Sequence, residues 1–66
     1  MKVTDIEARL AKIKEVASEK DGQAHGLEDD LFLDVLKAIA NGADDPRALA
    51  AAAIQSADLD INRWFE

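Results

Sequence analysis

Seven apolar residues in the middle of the chain fix the fold class. Leu27, Leu31, Phe32, Val35, Leu36, Ile39 and Ala40 recur at i, i+4, i+5, i+8, i+9, i+12 and i+13. At the helical rotation of ~100° per residue they cover an arc of about 220°. A strand has period two, and the chain holds no alternating apolar-polar run long enough to compete. Asp30, Asp34, Lys37 and Asn41 fall on the other side of the same wheel, and Leu33 lies just beyond the edge of the arc. A helix that is apolar over more than half its circumference needs two neighbours, or one neighbour and another chain.

Length limits what those neighbours can be. A chain of 66 residues is one domain at most, and buries only about 60% of its unfolded surface. Thirteen of its apolar residues are alanine, and the aromatics are Phe32, Trp64 and Phe65. Such a core supplies roughly 3–5 kcal/mol of net stability. Without cysteine there is neither a disulfide nor a thiolate zinc site to add to it. Close helix packing or self-association is left as the staple.

The spacing predicts a first helix over about 5–20. Thr4-Asp5-Ile6-Glu7 reads as a capping box, with Thr4 and Glu7 as its reciprocal pair. Val3, Ile6, Leu10, Ile13 and Ala17 form a narrow 3-4-3-4 stripe, widened by Val16. Asp5 and Arg9 stand at the i,i+4 spacing of a surface ion pair. The segment Asp21-Gly22-Gln23-Ala24-His25-Gly26 breaks that pattern. The second helix begins either right after Asp21 or at Leu27; the earlier start is preferred, giving about 22–41. Asn41-Gly42 ends it, with Gly42 suited to the left-handed C′ position. Asp45 as N-cap and Pro46 at the first helical position open a third helix over about 46–56. Its alanines, Ala48 and Ala50 to Ala53, favour the helix and let backbones approach closely. Leu49 and Ile54 are its only large anchors. Asp60 then caps a short helix over about 61–65, where Trp64 and Phe65 act as docking aromatics.

The expectation is therefore an all-α fold, a compact three-helix bundle with a short C-terminal helix. Its core comprises Ile6, Leu10, Ile13, Leu31, Val35, Leu36, Ile39, Leu49, Ile54, Ile61 and Trp64.

Charge excludes some partners. The formal net charge is −6, and it is uneven. Residues 1–20 carry five bases and four acids, whereas residues 21–66 carry three bases and ten acids. An acidic body disfavours nucleic-acid phosphates and anionic lipid, whose binding depends on Lys and Arg displacing counterions. No 18-residue apolar run offers a membrane span. The stretch Met1-Lys2-Val3-Thr4-Asp5 lacks a signal-peptide core. These features lead to the expectation of a soluble cytoplasmic protein.

No Ser/His/Asp set, cysteine nucleophile or phosphate-cradling glycine loop is present. His25, Glu28 and Asp29 stand at i, i+3 and i+4, the one spacing that brings an imidazole and two carboxylates together. They are weak metal candidates, because acids in a first helical turn serve the helix dipole without any metal. If the second helix begins near Asp21, Glu28 falls on the apolar arc as a buried polar tie, with His25, Arg63 or Trp64 as partner. Neither a catalytic set nor a cofactor is expected. The leading function is a non-enzymatic protein–protein interaction or assembly module, homodimer included, with Phe32, Leu33, Trp64 and Phe65 as contact residues. The alternative is a helix-turn-helix-like DNA-associated regulator built from residues 46–65, with Ala51, Ile54, Ile61 and Trp64 at buried spacings. Against it stand Asp58 and Asp60 in the would-be recognition helix, with Arg63 its one base.

From about Ala24 onward the chain resembles a group of small uncharacterised helical proteins of bacteria and their phages or prophages. The residues that carry the likeness are Ala24-His25, Glu28-Asp29, Val35-Leu36-Lys37-Ala38-Ile39-Ala40, Asp45-Pro46, Leu49-Ala50, Leu59-Asp60 and Arg63-Trp64. The group usually has an aromatic residue where Ile61 stands. The resemblance implies an accessory protein of a bacterium or mobile element. It carries over no functional residue.

Overall fold

The computed structural model describes residues 1–59. Among them the chain forms three α-helices, α1 (Val3–Ala17), α2 (Asp21–Ala40) and α3 (Pro46–Ile54), followed by a 3-10 turn, η1 (Gln55–Asp58). The fold is all-α, as the periodicity requires. Ile61, Trp64, Phe65 and the short helix expected over about 61–65 lie outside the described residues.

Each helix end has an identifiable cause. α1 starts earlier than Thr4 would place it. Lys2 is the N-cap, and the Asp5 carboxylate accepts from the Lys2 backbone N–H at 2.8 Å. An aspartate three residues after the cap satisfies that amide without a hydroxyl at the cap, and so displaces the Thr4–Glu7 box. α1 also stops at Ala17 and not at Lys20: the Glu19 and Lys20 amides both turn back to the Val16 carbonyl, and the Ser18 hydroxyl donates to the Glu15 carbonyl at 2.7 Å. Only residues 18–20 separate α1 from α2.

α2 begins at Asp21, the earlier of the two starts, and runs through Gly22 and Gly26 unbroken. Tertiary burial outweighs the glycine penalty of about 1 kcal/mol each: Ala24, His25 and Glu28, interleaved with those glycines, are all buried. At its other end the Gly42 amide donates to the Ile39 carbonyl and the Ala43 amide to the Ala38 carbonyl, both at 3.0 Å. Gly42 has φ +88°. This is a Schellman turn, in which a left-handed residue satisfies two orphan carbonyls. α3 opens as its sequence requires, with the Asp45 carboxylate accepting from the Ala48 amide at 3.2 Å and Pro46 in the first turn.

The core is Ile6 and Ile13 of α1, Ala24, Leu31 and Val35 of α2, and Leu49, Ala52 and Ala53 of α3. Leu10 and Ile39 pack against it while partly exposed. Two expected core residues do not belong to it: Leu36 is 63% exposed and Ile54 66%. The Cα envelope measures 34 × 21 × 14 Å. Helix axes pack 8–10 Å apart, so 14 Å is barely two helix layers. Among the described residues α1 and α3 are the helices packed on α2, and neither covers the outer edge of its apolar arc.

Arg9 also departs from the local reading. It pairs with Asp34 of α2, Nη1 to Oδ2 at 2.7 Å, rather than with Asp5 one turn away. Asp34, assigned by the wheel to the solvent side, is thereby drawn toward α1. The pair is about a third to a half exposed and contributes well under ~1 kcal/mol.

Candidate functional site

Leu36 and Ile54 owe their exposure to the composition of α3. An alanine-rich helix approaches its neighbour closely but presents no long side chains to roof it. Between α2 and α3 an open apolar groove of about 340 Å³ results. Phe32, Leu36 and Ile39 line it from α2, and Ala50, Ala53 and Ile54 from α3. Leu33, 51% exposed, continues the apolar surface outward. Taking a leucine or isoleucine from water is worth about 1.5–3 kcal/mol, and three such side chains, Leu33, Leu36 and Ile54, stand more than half in solvent here.

Of the four contact residues read from the sequence, Phe32 lines this groove, half-buried in its wall, and Leu33 is exposed on α2 outside that lining. Trp64 and Phe65 lie outside the described residues. Leu36 and Ile54 were missed as surface residues because periodicity assigns a side chain to a face without saying whether a neighbour covers it. The signal that could have found them is the scarcity of large residues in α3.

The three metal candidates are distributed differently. His25 Nδ1 lies 3.3 Å from Asp29 Oδ2, an i,i+4 contact along α2. His25 and Glu28 are buried, whereas the Asp29 side chain is mostly exposed. Among the described residues no group of three or more His, Cys, Asp or Glu side chains is arranged to hold a metal ion. Glu28 is only 3% exposed, the burial that an early α2 start implies. Two partners considered for it, Arg63 and Trp64, fall outside the described residues. Ala51 and Ile54, read as buried positions of a helix-turn-helix, are both exposed.

A second cavity, about 600 Å³, lies where Met1, Lys2 and Val3 face the α2–α3 turn. Its polar lining includes Lys2, Asn41, Asp44 and Asp45. Asp45 is already engaged in capping α3. Among the described residues no helix is long and apolar enough to cross a membrane.

No family model matches the chain, and neither a curated protein nor a solved structure does.

Proposed function

We propose that this chain is a non-enzymatic docking module, a small accessory protein of a bacterium or mobile element that acts in the cytoplasm by binding another polypeptide through the α2–α3 groove. The observation that supports this reading is a contrast within one helix. Leu31 of α2 is fully buried while Leu36, five residues on, is 63% exposed and stands at the wall of an apolar groove. A chain with so small a core gains little by leaving Leu33, Leu36 and Ile54 in water. The arrangement makes sense where a partner's apolar surface completes the layer. No cofactor enters this function.

The test is site-specific photo-crosslinking in the native host. A photoreactive residue replacing Leu36 or Ile54 is expected to trap a polypeptide partner in discrete bands. The same residue replacing exposed Glu7 or Lys12 of α1 serves as control. Equal yields from both faces would remove the groove as the docking site.

A further inference from the structure

We infer that Asn41 is a site of spontaneous deamidation, and that the turn closing α2 is the gate that controls it. Asn41-Gly42 opens the connection between α2 and α3, and both residues are exposed. The reaction consumes only water. The Gly42 backbone nitrogen gives up its proton and attacks the side-chain carbonyl carbon Cγ of Asn41. The N–Cγ bond forms, the Cγ–Nδ2 bond breaks, and ammonia leaves carrying the proton. Water then opens the resulting imide ring. Hydrolysis at Cγ gives aspartate. Hydrolysis at the main-chain carbonyl carbon gives isoaspartate, in which the backbone runs through Cβ and Cγ. Asparagine is thermolabile, and a following glycine makes it most so, because no Cβ shields the attacking nitrogen. Asn62 is followed by Arg63, whose side chain hinders the same approach.

The folded turn opposes this chemistry at the bond where it must start. Asn41 has ψ 11°, which sets the Gly42 nitrogen on the side of the Cα–C bond away from Cβ. Ring closure requires that bond to rotate. Rotation breaks the Schellman turn, since the Gly42 amide donates to the Ile39 carbonyl and the Ala43 amide to the Ala38 carbonyl, both at 3.0 Å. The first of these bonds also holds the proton on the nucleophile. Ala43 packs against the core, so the turn is tied to the fold and reaction waits for it to open. The products then part ways. Aspartate keeps the length of the backbone. Isoaspartate adds an atom to it, carries the Gly42 and Ala43 amides out of register, and leaves the Ile39 and Ala38 carbonyls without their donors. Because this connection joins the two walls of the apolar groove, the change acts on both.

The test is to incubate the full chain in mildly alkaline buffer, native and denatured in guanidinium chloride. Peptide mapping by mass spectrometry and enzymatic methylation of isoaspartate follow Asn41. In denaturant Asn41 should convert well ahead of Asn62. In buffer alone its conversion should be at least about tenfold slower. Leu31→Ala is remote from the turn and leaves the chain close to its unfolding midpoint, so it should bring the rate in buffer to within roughly twofold of the denatured rate. The isoaspartyl chain, separated by ion exchange, should melt roughly 5–10 °C below the parent, and Asn41→Asp should lose less. No conversion of Asn41 in denaturant overturns the site. Conversion equally fast in buffer, or a Leu31→Ala chain that loses helix content without reacting faster, overturns the gate. An isoaspartyl chain that melts with the parent overturns the link between the modification and the turn.

Discussion

The two long sides of α2 are built from the same residue types and meet opposite fates. Toward α1, with which α2 shares the most extensive contact of the fold, Leu31 is closed over by side chains from a helix rich in isoleucine and valine. The Arg9–Asp34 pair spans the two helices on this side as well. Toward α3, Leu36 meets a helix of nine residues that offers mainly methyl groups, and the surface stays open. The difference lies in the neighbour and not in α2. A leucine's burial is decided by the reach of the side chains facing it, and alanine, the strongest helix former, is the residue with the least reach.

That comparison can be broken where it is sharpest. Leu31→Ala should cost about 3 kcal/mol, most of the stability a core of this size supplies, and chemical denaturation should show a chain close to its unfolding midpoint in buffer. Gly42→Ala acts at the turn that sets α3 beside α2. A Cβ there meets no atom within 4 Å, so the whole cost comes from the positive φ and should be about 1 kcal/mol. Gly26→Ala has the opposite sign. It sits inside α2 with a negative φ and open space around a Cβ, and thermal melts should show a gain of about 0.5–1 kcal/mol. The smallest effect completes the pair with Leu31. Leu36→Ala, measured at a concentration where the chain is monomeric, should move stability by no more than about 0.5 kcal/mol. A loss at position 36 as large as that at position 31 would show that the groove is closed within one chain.

Much of this was legible in the sequence wherever one residue has one physical use. Gly42 after Asn41, and Asp45 before Pro46, name their turn and cap because few other residues satisfy those backbone groups. Ile6, Ile13, Leu31, Val35 and Leu49 lie at the centres of their stripes and are buried. Glu28 follows from the same wheel once α2 starts at Asp21. The errors fall where two local solutions compete or where the answer lies on another element. Asp5 competes with Thr4 to close the start of α1, and its side chain serves the amide of Lys2. Arg9 has an acid one turn away and another on the neighbouring helix, and only the packing of α1 on α2 chooses Asp34. Leu36 and Ile54 sit toward the edges of their apolar arcs, where burial depends on how far a neighbour extends. The candidate site was half legible: excess apolar arc on α2 pointed to an uncovered face, but its partner wall on α3 was assigned to the core.

The brevity of the two connections also bears on how fast the chain finds its structure. Residues 18–20 and 41–45 return each helix along the one just made, so most contacts join segments close in sequence. Little loop-closure entropy has to be spent before packing begins. Helical chains of such low contact order cross their folding barrier in microseconds to milliseconds. A temperature-jump relaxation in that window is expected, short enough for the three helices to dock almost as soon as α3 is synthesised.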